Sequence, residues 1–293
     1  MTRRRRAAAL LALASIAALL VGAPACAKPP VWIARSKHAT LVLFGSIHLL
    51  PPGLDWRPKV LDEALGKANE VWFELPITTD SDRRAAATSA MRGELPKGRS
   101  LLQMLSPGAA AQLQAAAQSL HYPPEIIESM QPWMADLTLS IVDDGRNGAT
   151  AFNGVETQVQ AITPAATRRR ALETPEQQIG FLAGAPLADQ LASLRWTVGE
   201  IDSDPGSYRR LISEWMAGDV AGLERDAIAP LQEVSPTLYE RLLVNRNRAW
   251  ARKIERRMRR PGLVVVVVGV GHMLGPAGLP ALLRAHGLAV EGP

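Results

Sequence analysis

The run Leu263-Val264-Val265-Val266-Val267-Val268 admits few structures. Consecutive β-branched residues are poor helix formers, and without polar alternation they cannot make a strand with one face in water. They suit a strand buried on both faces, as in the middle of a mostly parallel sheet covered by helices. Toward the start of the chain, Thr40-Leu41-Val42-Leu43-Phe44 reads as a second strand, joined to Val31-Trp32-Ile33-Ala34-Arg35 by a short polar turn as a hairpin. A helical pattern covers Pro58 to Ala68, and Glu70-Val71-Trp72-Phe73-Glu74-Leu75 reads as the next strand.

Thr78 to Arg99, poor in large apolar residues, reads as a surface excursion, and Leu101 to Pro230 as mainly helical. Within that stretch Gly154-Val155-Glu156 to Ala171-Leu172-Glu173 reads as strand–turn–strand. Thr174-Pro175-Glu176-Gln177 has the capping-box pattern of a helix start. A long helix is expected from Pro236 to Arg260, then, after the valine strand, a helix over Gly278 to Ala285 and an edge strand at Leu288-Ala289-Val290. The expectation is one α/β domain over residues 28–293. Its central, mostly parallel sheet comes from the two ends of the chain, and a helical insertion covers about 78–235.

Arg3, Arg4, Arg5 and Arg6, the apolar run Ala7 to Val21 and the small residues around Ala25-Cys26-Ala27 describe a secretory signal peptide over residues 1–27. An exported, periplasmic protein is therefore expected. The formal charge of +5 comes mostly from this leader: without it 29 bases face 28 acids, so nucleic acid is not an expected partner. Cys26, the only cysteine, sits at the cleavage site, and the expected mature chain has neither disulfide nor thiol nucleophile. The rival reading is a lipoprotein anchored through Cys26, but Ala23-Pro24-Ala25-Cys26 is a poor lipobox. Beyond residue 27 no apolar stretch is long enough to span a bilayer.

The chemistry-bearing feature is a repeated turn. Leu41 to Phe44 leads into Gly45-Ser46-Ile47-His48, and Val266 to Val268 leads into Gly269-Val270-Gly271-His272. Each glycine lets the chain turn at a strand end, and the C-terminal edge of such a sheet is where ligands bind. Glu74 ends a third strand. Two imidazoles and a carboxylate at one edge suit a divalent metal that activates water; without a metal, one histidine could be a general base. Val268-Gly269-Val270-Gly271 does not complete a dinucleotide fingerprint, because Leu274 stands where the third glycine belongs. His38, His121 and His286 read as structural or solvated, and the arginines at 256, 257, 259 and 260 as a solvated helix end. In the long helix Asn247 shares an apolar stripe with Leu243, Trp250, Ile254 and Met258, beside Arg246.

Five blocks resemble the TraB/GumN family, which includes the Tiki proteases: Leu43 to His48, Val71 to Glu74, Leu172 to Gln178, Arg246 to Trp250, and Val268 to Gly275. They occur in the family's order, with the GumN-like bacterial branch most similar. The resemblance implies a fold related to erythromycin esterase and the haem-associated ChaN proteins. It also implies that His48, Glu74 and His272 are the catalytic or metal-binding groups, with Glu173, Arg246 and Asn247 beside them. Glu156 stands where a family aspartate is expected. The resulting expectation is a metal-dependent hydrolase, most simply a peptidase, with His48, Glu74 and His272 on Mn, Co or Zn. Glu173 would be a fourth ligand or proton shuttle, and Arg246 and Asn247 would hold the substrate carbonyl or oxyanion. The substrate would be a peptide or small ester. The alternatives are a metal-free esterase using His48 as base, and a non-catalytic haem- or peptide-binding protein.

Overall fold

The computed structural model describes residues 28–293, so the expected signal peptide, with Cys26, lies outside the described residues. Strand β1 (Val31–Arg35) forms the expected hairpin with β2 (Ala39–Ser46), and α1 (Lys59–Lys67) leads to β3 (Glu70–Phe73). The polar stretch that follows is helical: α2 (Thr79–Gly93) is capped by the Thr78 hydroxyl and buries only small residues, which is why its pattern lacked an apolar stripe. Helices α3 (Pro107–Ser119), α4 (Pro124–Glu128) and α5 (Pro132–Arg146) build the insertion.

The expected strand–turn–strand is half right. Its first arm is a helix, α6 (Val155–Ile162), and its second is β4 (Arg168–Ala171). Val155 and Val159, the two buried residues of α6, are four apart, a spacing that fits either period in so short a segment. The helix is decided by its start: the Val155 N–H donates to the Ile47 carbonyl, and Gly154 lies against the His48 carbonyl.

The capping box forms as expected at the head of α7 (Pro175–Ala183), followed by α8 (Leu187–Ser203), α9 (Ser207–Ala217) and α10 (Val220–Leu223). A π turn, Glu224–Ile228, joins α10 to α11 (Ala229–Val234). The expected long helix comprises α12 (Pro236–Tyr239), a second π turn at Glu240–Val244, and α13 (Asn245–Met258). Strand β5 (Gly262–Gly269), α14 (Leu279–Ala285) and the edge strand β6 (Ala289–Glu291) complete the fold.

The six strands lie in the order β4-β3-β5-β2-β1-β6. The first four are parallel, and β1 is antiparallel to both neighbours. The valine strand is therefore central, and its residues alternate between two cores. Val265 and Val267 pack with Phe44, Trp56 and Trp215 on one face; Val264, Val266 and Val268 pack with Trp250, Ile254 and Leu283 on the other. Each fully buried valine contributes about 1.5–3 kcal/mol, so no polar substitution on either face of β5 would be cheap. A third core joins α3, α5 and α8 inside the insertion. Among the described residues no helix is long and apolar enough to cross a membrane.

Candidate functional site

Because β4, β3, β5 and β2 are adjacent and parallel, their C-terminal ends deliver Glu173, Glu74, His272 and His48 in that order along one edge. The two glycine turns make this possible. A Cβ on Gly45 would stand 2.9 Å from Val270 Cγ2 and 3.0 Å from Val270 Cα, so the turns pack backbone to backbone. A Cβ on Gly269 would come within 3.2 Å of Glu74 Oε1 and 3.3 Å of His48 Nε2, which makes the bare Cα of Gly269 the floor between these two groups. The structure thus brings His48, Glu74 and His272 together from positions over two hundred residues apart.

His272 is buried, and its hydrogen bonds fix its tautomer. The Asn247 amide nitrogen donates to the Ala277 carbonyl at 2.8 Å and the His272 carbonyl at 3.4 Å, so the Asn247 oxygen must face the His272 Nδ1, 2.6 Å away. Nδ1 therefore carries a proton. Burial pushes the His272 pKa down to about 3 against the pull of Glu74, so at neutral pH Nε2 is a bare lone pair. It points at Glu74 Oε1, 3.7 Å away. That oxygen also accepts the Gly269 N–H at 2.8 Å.

Glu74 is held ionised. Burial alone would raise its pKa, but the charges of His272, Arg246 and His48 and the Gly269 N–H bring it down to about 2. Since His272 is neutral at pH 7, Arg246 and His48 are the cations that matter there. The Arg246 Nη2 donates to Glu74 Oε2 at 2.6 Å, and Gln178 from α7 donates to the same oxygen at 3.0 Å.

Glu173 and Arg246 do not stand where a fourth ligand and an oxyanion donor were expected. Glu173 is a buried counter-ion: it accepts from Arg246 Nε at 2.9 Å, from Arg246 Nη2 at 2.9 Å and from Trp250 Nε1 at 2.9 Å. The Arg246 guanidinium is spent on Glu173, Glu74 and the Leu242 carbonyl, and it lies 4.7 Å over the Trp250 ring. Asn247 is likewise spent, on orienting His272. All three support His272 and Glu74 from behind. Removing one partner of such a buried ion pair typically costs about 3–5 kcal/mol, because it strands the other charge.

His48 differs from His272 in exposure and charge. Its side chain is 58% exposed, and its Nδ1 lies 2.8 Å from Glu156 Oε1, which also accepts from the Ser46 hydroxyl. The Glu156 carboxylate raises the His48 pKa to about 9, so this ring is cationic at neutral pH. Glu156 is in turn held below the ordinary glutamate range, burial opposing and His48 prevailing.

Glu156, Ser46, Gln178 and Trp250 escaped sequence reasoning as parts of the site. Trp250 had read only as core, although its position one helical turn after Arg246 put both on one face. It lies against His272 with ring centroids 4.3 Å apart and planes tilted by 41°. The π turns matter too: Ile228 and Leu243 each end 3.4 and 3.7 Å from where a Gly271 Cβ would be, closing the second glycine turn from above.

Two imidazole nitrogens and a carboxylate oxygen, with both Nδ1 atoms held by outer partners, are the donor chemistry of a borderline divalent cation. The 3.7 Å between Glu74 Oε1 and His272 Nε2 is near the roughly 3.4 Å expected of two ligands about 2.1 Å from one tetrahedral ion. The set is open as it stands. Among the described residues no three His, Cys, Asp or Glu groups are gathered tightly enough to close on an ion.

The family model described as "TraB/PrgY/gumN family" matches residues 30–292. "Uncharacterized protein YbaP" of Shigella flexneri is 27% identical over 250 residues, covering 85% of this chain and 89% of the relative. Its namesake in Escherichia coli K12 is 28% identical over 243 residues, covering 83% and 87%. No solved structure matches the chain.

Proposed function

This chain belongs to the TraB/PrgY/gumN family, and on that footing we propose that it is an exported, periplasmic metal-dependent hydrolase acting on peptides. The observation that carries the reading is the unprotonated Nε2 of His272 facing Glu74 Oε1, whose one hydrogen bond is from the Gly269 N–H, across 3.7 Å. Two buried lone pairs with no proton between them repel, and a cation held by both removes that cost. His48, Glu74 and His272 would hold the ion, whose chemistry would be to lower the pKa of a bound water to about 7.

The chain's own groups do the positioning. Asn247 keeps the His272 proton on Nδ1. Arg246, Glu173 and Gln178 fix the Glu74 carboxylate, with Trp250 as their platform. Glu156 and Ser46 hold the exposed ring of His48, which has the freedom to turn its Nε2 onto the ion. A ring titrating near 9 keeps its proton at neutral pH, so His48 must release it either to ligate an ion or to act as a base. Haem is disfavoured by the burial of His272, whose side chain is 5% exposed and offers no face to a planar macrocycle.

The test is calorimetric titration of the mature protein with Mn²⁺, Co²⁺ and Zn²⁺, beside folded His48→Ala and His272→Ala variants. Binding to the parent that falls at least tenfold in both variants supports the reading. Equal metal uptake by all three proteins removes it. Peptide cleavage that needs the same ion is the second arm.

A further inference from the structure

Opposite the edge that carries His48 and Glu74 lies a pole rich in cations. The turn between β1 and β2 contributes Lys37, β4 begins with Arg168 and includes Arg170, and the end of α13 supplies Arg256, then Arg259 and Arg260. The topology makes these neighbours. Ala39 at the start of β2 pairs with Gly262 at the start of β5, Arg168 pairs with Glu70 at the start of β3, and Ser36 Oγ donates to the Met258 carbonyl at 2.9 Å.

The nearby acids are already engaged. Glu70 is buried and bonded by Arg170 and Arg257, and Glu255 faces His286. Among the described residues, Lys37, Arg256, Arg259 and Arg260 have no acidic partner at ion-pairing distance, and all four are exposed. An open groove of about 570 Å³ runs between residues 35–40 and Gly262-Leu263 in the middle of this pole.

Complementing the dipole of α13 would account for arginines in its last turn. It does not account for Lys37, which is on a turn; on β4, Arg170 and Arg168 flank the buried Glu70 at 2.7 and 3.9 Å. Residues 28–293 carry 29 bases against 28 acids, so this charge is a local concentration and not a reflection of the whole.

The pole also lacks what other polyanion readers use. None of the large exposed apolar side chains lies on the β1–β2 turn, on β4 or at the exit of α13. There is therefore no Phe, Tyr or Trp ring for stacking a base and no apolar wedge for entering a bilayer. We propose that this pole docks the protein electrostatically on an anionic phospholipid surface, with the His48 edge turned away toward solvent. Cations spread over a broad, shallow pole match a planar array of headgroup charges, and their attraction extends about one Debye length.

The proposal is tested by co-sedimenting the mature protein with phosphatidylcholine vesicles and with vesicles that also contain phosphatidylglycerol. Binding is expected only with the anionic lipid, falling at least tenfold between low and physiological salt. A triple variant, Arg256→Glu, Arg259→Glu and Arg260→Glu, should lose at least tenfold in binding while still unfolding in one cooperative thermal transition. A control with the same change in net charge, Arg83→Glu, Arg99→Glu and Arg195→Glu, should bind like the parent. Equal loss in the control, binding to neutral vesicles, or displacement by duplex DNA at matched phosphate concentration would overturn it. None of these readouts depends on metal or hydrolysis, so this result and that of the proposed activity are separable.

Discussion

His48 and His272 occupy equivalent turns and are pushed in opposite directions. Glu156 lifts the first to about 9 and burial drops the second to about 3, both from 6.5. The cause is where the neighbouring charge sits: His48 has a carboxylate on its outer nitrogen, His272 a neutral amide. Replacing Glu156 by Gln keeps a hydrogen-bond acceptor for Nδ1 and removes the charge. Its expected effect is a His48 pKa that returns toward 6.5 in an NMR titration of the imidazole protons. A ring still titrating near 9 in that variant would show that Glu156 is not the cause. Glu156 itself was visible in the sequence only as an unusual choice of acid. Nothing local to it announces a bond to a ring 108 positions away.

The elements nearest the site were legible where one local interaction dominates. The valine run forms β5, and Thr174 to Gln177 form the capping box, because backbone sterics and a cap decide such segments. Residues 154–162 were misread because a tertiary contact decides them. The start of α6 is stitched to the first glycine turn through the Ile47 and His48 carbonyls, and two valines four apart carry no preference. Gly154 is the point of closest approach, since a Cβ there would fall 2.0 Å from the His48 oxygen. Gly154→Ala is therefore expected to destabilise the fold by about 1–3 kcal/mol in urea unfolding. It should also loosen the Glu156–His48 pair, because the displaced element is the one that carries Glu156. A variant as stable as the parent would mean that α6 can retreat freely.

At the scale of the whole molecule the two histidines bound the pH range of stability from opposite sides. His48 has a raised pKa in the folded state, so its contribution is full below 6.5 and is lost as pH rises through about 9. With 58% of its side chain in solvent, screening keeps that contribution small. The buried His272 and Glu74 have lowered pKa values, and their contribution is present above 6.5 and 4.5 and is lost as pH falls toward 3 and 2. The acid side should therefore be steeper. Thermal unfolding temperature is expected to decline as pH drops below about 6.5, and His272→Gln should flatten that decline between 6.5 and 4.5. An unchanged acid slope would show that His272 titrates normally.

The central position of β5 has a consequence for synthesis. The strand that both β2 and β3 lean on is made after both of them, and its β2 partners lie 223 residues upstream, as with Ser46 and Gly269. Pairing over that span is slow and cannot begin before β5 itself has been made. A nascent or truncated chain has one histidine turn and no floor beneath it. The groups that face one another along this edge thus first meet when the central strand slides home.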